Sequence, residues 1–209
     1  MCKNALSCRL SVMSEIGHRE REKAKRRLSI EISALRLFAE KGFEETTIQE
    51  IAAAASVSPR TVLMYFPNKA DIALSSVNME VAILTERLRT ESKKKSVMDI
   101  YASWFTEMES KLDPVIRDLR SLAFKRNPIL TGSMSSEIQE AMEASSAALA
   151  REYEIPANHI GILLTHNLIG GLSNVLEQRS DKKVDILDAM RDALNFADAG
   201  IKALKKKSK

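Results

Sequence analysis

Between Phe38 and Lys69 the chain reads FAEKGFEETTIQEIAAAASVSPRTVLMYFPNK, and this stretch constrains the fold more than any other part of the sequence. Thr47 stands as a helix N-cap, followed by Ile48, Ile51, Ala52 and Ala55 at helical spacing. Ser56-Val57 breaks that pattern. Ser58 then opens a second helix with Pro59 in its first position: the serine hydroxyl satisfies a free amide, and proline lacks the amide that would have no partner there. This helix keeps Val62 and Phe66 on its inner face and turns Arg60, Thr61, Leu63 and Met64 outward. Pro67 stops it, and Asn68-Lys69-Ala70-Asp71 starts another. Two short helices across a tight turn, the second with a free outer face, form the arrangement that enters a DNA major groove.

The same apolar residues would also serve a helical hairpin that only packs, and charge separates the two readings. Residues 1–70 hold twelve Lys/Arg against eight Asp/Glu, whereas residues 71–209 hold twenty of each, so the whole excess lies with the two short helices and what precedes them. Without the five lysines between Lys202 and Lys209, residues 71–201 stand at −5, a poor surface for phosphate. One basic part beside a larger acidic one is the electrostatic pattern of a nucleic-acid reader joined to something else.

At these residues the chain resembles the TetR family of one-component transcriptional regulators. The family pattern runs through LFAEKGFEETTIQEIA from Leu37 to Ala52, Val57-Ser58 near the turn, Thr61 opening the recognition helix, Tyr65-Phe66 and Lys69. Two positions depart from it. Ser56 stands where the family usually has Gly at the turn, which in a left-handed conformation costs about 1–2 kcal/mol. Leu63 stands where a Tyr often contacts the DNA backbone, replacing that hydrogen bond by an apolar contact, for instance to a thymine methyl. The resemblance implies an all-α protein: an N-terminal three-helix DNA-binding domain with a helix-turn-helix, then a larger helical domain for ligand binding and dimerisation. It also implies a cytoplasmic homodimer on a palindromic double-stranded operator, acting as a repressor that a small-molecule effector releases.

The interface follows from helix position. Ser58, Pro59, Arg60, Thr61 and Leu63 are expected at the groove, with Gln49 assisting from the preceding helix and Arg60 as the base-reading cation. Thr47, Tyr65 and Lys69 are expected to hold phosphates. The run REREKAKRR from Arg19 to Arg27 enters the first helix of the reader directly and is read as an arm for phosphate or the minor groove, against the alternative of a solvated helix face.

Seven Gly and five Pro in 209 residues, with 44% hydrophobic and 29% charged and no sustained two-residue alternation, predict a chain that is nearly all helix. The expected divisions are a disordered arm over 1–18, the reader over 19–70, an effector-binding and dimerisation domain over 71–201, and a basic tail over 202–209. Helices are predicted from Asp71 to Thr90, Val97 to Leu112, Pro114 to Arg126, Met134 to Tyr153, Pro156 to Gln178, and Val184 to Lys205. No apolar run reaches the ~20 residues that cross a bilayer, since Ile160–Leu176 is interrupted by His166, Asn167, Gly170, Gly171, Ser173 and Asn174. Residues 1–17 hold no continuous apolar stretch, a poor fit to a secretory signal, and Met13 is an alternative start. Cys2 and Cys8 lack further metal-ligand partners and read as reduced thiols.

In the larger domain Ile100, Tyr101, Trp104, Phe105, Met108 and Leu112 form a helical stripe, read first as core and second as the wall of an effector cavity. Trp104, Met108, Phe124, His166 and Asn167 are the expected pocket residues. Dimer contacts are expected from Leu164, Leu168, Leu172 and Val175 on one late helix, and from Leu187 and Leu194 on the other. Their apolar faces, which extend to Ile160, Leu163, Leu176, Val184, Met190, Ala197 and Ile201, are broader than a single bundle edge should expose; closure of one chain's own core is the alternative. An enzyme finds no support: His159 and His166 are too far apart on a helix to share an ion, and no Gly-rich phosphate loop, GxSxG or CxxC occurs. Neither a metal nor a cofactor is expected, and Asp181, Asp185, Asp188 and Asp192 read as a solvated face.

Overall fold

A computed structural model describes residues 17–111, 113–131, 135–178 and 186–207, with the backbone alone at 131, 173–178 and 207. Among the described residues every regular element is a helix. In chain order these are α1 (His18–Glu40), α2 (Ile48–Ala54), α3 (Pro59–Tyr65), α4 (Lys69–Ala73), α5 (Ser75–Glu91), α6 (Val97–Lys111), α7 (Pro114–Arg126), α8 (Pro128–Thr131), α9 (Ser136–Tyr153), α10 (Ile160–Gln178) and α11 (Ile186–Lys207).

Local capping explains most of the boundaries. Thr47 opens α2 through a reciprocal capping box with Glu50. Ser58, Asn68, Asp113 and Ser135 each accept a first-turn amide at the start of α3, α4, α7 and α9, and Pro59 and Pro114 occupy first positions. One expected boundary fails for the same kind of reason. Pro156 does not begin α10: its carbonyl accepts from the His159 amide in a turn, and the His159 ring, through Nδ1, accepts the Gly161 amide at 3.0 Å, so the helix starts at Ile160. The expected basic tail is also helical as far as Lys207. The expected arm lies outside the described residues up to 16, and α1 is already formed at His18.

The chain divides into two compact units that interleave in sequence: residues up to 76 with 110–133, and 77–109 with 134 onward. The first is built on α1, against which α2, α4 and, from far along the chain, α7 pack. Its core is Ile30, Ala34, Leu35, Phe38, Ile51, Val62, Phe66 and Ile72, with Ile116, Ala123 and Phe124 from α7 also buried. The reader is therefore larger than the expected 19–70, because α7 closes it. The second unit surrounds Leu84, Leu88, Ile100, Tyr101, Phe105, Leu149, Ile162, Met190 and Leu194. In it α10 and α11 lie along each other, so close at Gly161 that a Cβ there would stand 3.3 Å from Ile201 Cγ1.

Candidate nucleic-acid interface

Each of the two short helices is fixed at both ends. At α2, Thr47 Oγ1 accepts the Glu50 amide at 3.2 Å while Glu50 Oε2 accepts the Thr47 amide at 2.8 Å. Lys41 Nζ reaches the other Glu50 oxygen at 2.6 Å. The bonds from Lys41 and from Thr47 hold the Glu50 carboxyl at about 2, so it stays ionised and keeps the cap. The turn closes through the Val57 amide to the Ala52 carbonyl at 2.9 Å. Ser56 takes φ +54 there, the left-handed conformation in which a side chain costs about 1–2 kcal/mol relative to glycine.

Helix α3 buries Val62 and sets Phe66 beneath its end. Arg27 of α1 anchors that end: its guanidinium donates to the Tyr65 carbonyl at 3.2 Å and to Ser75 Oγ at 3.3 Å, and lies 4.3 Å from the centre of the Phe66 ring. What remains outward is Ser58, Pro59, Arg60, Leu63 and Met64, the last two 49% and 73% exposed. Arg60 has no hydrogen-bond or ionic partner among the described residues, so its guanidinium is free for another molecule. Gln49 is exposed on α2, while Thr61 and Tyr65 are half-buried at the edge of the outer face. The Ser58 and Thr61 hydroxyls lie 2.8 Å apart, so the cap orients Thr61 as well.

Lys69 departs from its expected role. Its ammonium donates to the carbonyls of Phe43 at 2.8 Å, Glu44 at 3.2 Å and Thr46 at 2.8 Å, and lies 4.7 Å from the centre of the Phe43 ring. Three protons meet three acceptors, which leaves none for phosphate. Lys69 holds the loop before α2 instead of gripping DNA. Thr47 is likewise engaged in its capping box, although its side chain is exposed.

Two residues of this site have no local signature in the sequence. Asn127, buried at the end of α7, donates through Nδ2 to the Phe38 carbonyl at 3.1 Å and the Ala123 carbonyl at 2.6 Å, and accepts the Phe43 amide on Oδ1 at 2.6 Å. Arg126 adds a bond to the Ala39 carbonyl at 3.4 Å. The end of α1 and the loop to α2 are thus held from 84 to 89 residues further along the chain. Asn127-Pro128 reads in the sequence only as a turn.

The expected effector residues do not form one group. Phe124 is buried in the first unit, while Trp104, Met108, His166 and Asn167 belong to the second. Asn167 is exposed and bonds back to the Leu163 carbonyl at 2.8 Å. Trp104 is half-buried, its Nε1 donating to the Glu80 carbonyl at 2.9 Å and its ring edge-on to Phe105. Met108 packs against the core. His166 Nε2 lies 3.0 Å from Ser145 Oγ, which receives the Tyr101 hydroxyl at 2.9 Å. Because Tyr101 gives its proton to Ser145, the serine proton passes to Nε2, which places the histidine proton on Nδ1. Burial lowers the His166 pKa and keeps this chain neutral.

The expected dimer residues divide similarly. Leu164 is 54% exposed, and Ile160 and Leu163 are exposed beside it. Leu168 and Leu187 are half-buried, Leu172 packs against the core of its own unit, and Leu194 is only 3% exposed within that core, with Met190, Ala197 and Ile201. For α11 the apolar stripe closes the chain's own core, and the residue that faces outward is Phe196, 72% exposed. The Val175 and Leu176 side chains and Val184 lie outside the described residues.

Among the described residues no helix is long and apolar enough to cross a membrane. Residues 33–75 match the family profile described as bacterial regulatory proteins, tetR family. Among relatives, the regulator TcmR of Streptomyces glaucescens is 37% identical over 62 residues, which make up 30% of this chain and 27% of TcmR. YuxN of Bacillus subtilis, named an uncharacterized HTH-type transcriptional regulator, is 45% identical over 56 residues, 27% of this chain and 19% of YuxN. The matches thus span less than a third of either relative. The fold extends further: NalD, the secondary repressor of the MexAB-OprM multidrug efflux pump in Pseudomonas aeruginosa, superposes with a TM-score of 0.60 at 23% identity, over 86% of this chain and 97% of NalD. A TetR family regulator from Marinobacter aquaeolei superposes with a TM-score of 0.53 at 19% identity, over 87% of this chain and 97% of that one. Through the reader at residues 33–75, the chain belongs to the TetR family of bacterial regulatory proteins.

Proposed function

We propose that the chain is a sequence-specific transcriptional repressor that binds a palindromic operator as a homodimer and releases it when a small apolar molecule binds. The observation that carries the reading is the outer face of α3. It is presented by a doubly capped helix and anchored by Arg27, and it offers one unpaired cation, Arg60, beside two exposed apolar side chains, Leu63 and Met64. A face of that composition suits a major groove, where guanine O6/N7 accepts a guanidinium and the thymine methyl is the apolar group.

Selection of bound sequences from random duplexes tests the reading and returns a palindrome if it holds. On the selected site, Arg60→Ala weakens discrimination at a guanine by about 1–3 kcal/mol and leaves other positions unchanged. Deoxyuridine in place of thymine removes only the methyl group. At the thymine under Leu63 it weakens the wild-type protein and leaves Leu63→Ala indifferent; equal sensitivity of both proteins at every thymine removes Leu63 from the readout.

For the effector, Trp104, Met108 and His166 of the second unit are the proposed contacts, the neutral Tyr101–Ser145–His166 chain supplying polar orientation within apolar surroundings. The molecule must bind one state of the protein better than the other, since equal affinity shifts nothing. Trp104 is the single tryptophan, so an inducer that releases DNA changes its fluorescence. Release with an unaltered spectrum places the effector elsewhere.

A further inference from the structure

The first turns of α1 stand clear of the unit to which the helix belongs. Buried side chains begin at Ile30; from His18 to Ser29 all are exposed except Arg21 and Leu28, which are half-buried. This segment, HREREKAKRR to residue 27, carries six Lys/Arg against two Glu.

Its cations fall into two groups. Lys25 pairs with Glu22 at 2.9 Å, and Arg27 is spent on Tyr65, Ser75 and Phe66. Arg19, Arg21, Lys23 and Arg26 have no acidic or hydrogen-bonding partner among the described residues. Three of these four, Arg19, Lys23 and Arg26, are spaced i, i+4, i+7, so they share one line along the helix, and that line continues into fully buried Ile30. The side of α1 that faces the interior at residue 30 thus becomes a row of cations where the interior ends.

Arg27 marks the place where this happens, because it bonds the last carbonyl of α3. The row therefore begins beside the C-terminal end of the recognition helix and extends about 10 Å, at 1.5 Å per residue. Like charges at i, i+4 weaken a helix by a few tenths of a kcal/mol, and here no burial offsets that cost. Duplex DNA, with one negative charge per about 1.7 Å of axis, is the complementary partner for a straight row of this length.

We propose that Arg19, Lys23 and Arg26 form a rail for phosphates of the same operator that α3 reads, extending each half-site beyond the groove contacted by α3. The proposal rests on the DNA-binding reading. The rail is blind to sequence, because ammonium and guanidinium groups on phosphates fix register without reading bases.

The test uses the full chain with Arg19→Ser, Lys23→Ser and Arg26→Ser together, on the operator obtained by selection. With about 0.9 counterion released per phosphate contact, three lost contacts lower the salt slope by about 2.7. Between 50 and 200 mM salt the wild type then loses on the order of forty-fold more affinity than the variant. The flanks of the hydroxyl-radical footprint open while base preference stays unchanged, and Arg19→Lys with Arg26→Lys keeps the wild-type slope. A triple variant with wild-type slope and footprint overturns the rail and leaves the recognition helix as the reader. A variant that loses preference at flanking A·T pairs overturns it in favour of minor-groove readout. A wild-type chain that selects no duplex overturns both the DNA-binding reading and the rail.

Discussion

Chains carrying Leu163→Glu and Leu164→Glu remain helical, scatter light as monomers and bind the selected operator about a thousandfold or more weakly, the usual gap between specific and non-specific binding. The reason lies on the outer side of α10. Ile160, Leu163 and Leu164 are exposed there, Phe196 is exposed on α11, and nothing stands within 4 Å of where a Cβ would be at Gly170 or Gly171. Four large apolar side chains in water favour a partner, and a glycine pair in a helix, costing about 1 kcal/mol each relative to alanine, leaves room for one to approach. A two-fold axis through this surface would present two recognition helices to successive major grooves, about 34 Å apart or a multiple of it. One reader alone makes half the contacts. The positions matter: Leu172 packs in the chain's own core, so a charge there would unfold the unit instead of separating protomers. A double variant that stays dimeric moves the interface elsewhere.

Lys69→Met and Asn127→Ala each destabilise the first unit by about 2–4 kcal/mol, from the loss of charge-assisted bonds in one case and from buried groups left unpaired in the other. Both residues act on the loop before α2. Lys69 takes the carbonyls of Phe43, Glu44 and Thr46; Asn127 takes the Phe43 amide and the Phe38 carbonyl. Because they share Phe43, the double variant is expected to lose less or more than the sum, and a denaturation cycle over the four proteins measures that coupling. The same variants decide whether Lys69 touches DNA. If it holds only the loop, Lys69→Met lowers the midpoint of unfolding while the salt slope of the folded protein stays unchanged. A slope reduced by about one, with stability intact, returns the residue to the phosphate backbone.

These expectations also show what the sequence could and could not convey. The reader was legible because its boundaries are chemical and local: Thr47 with Glu50, and Ser58 with Pro59, bind amides within three residues of themselves. Asp113-Pro114 gave α7 for the same reason. Pro156 misled because a side chain three residues later, His159, caps the helix in its place. Periodicity placed an apolar line on α11, but a line has the same form whether it meets its own chain or another. Only packing puts Leu194 inside and Phe196 outside. The effector residues were chosen by helix position alone, which carries no information on which unit a helix joins, hence the misplacement of Phe124. Lys69 and Asn127 bond main-chain groups 23 to 89 residues away, and carbonyls and amides leave no mark in a sequence.

Because α7 completes the first unit, the DNA reader is not a contiguous cassette. A ribosome that has delivered residues 1–76 has delivered a helix-turn-helix whose long helix still lacks one flank, and the loop before α2 has no Asn127 until some fifty residues later. Folding of the reader therefore waits on segments of the other unit, which are synthesised in between. Chimeric regulators meet the same constraint: a reader cut at residue 76 and fused to a foreign sensor arrives without its closing helix, and the transferable unit is residues up to 76 together with 110–133.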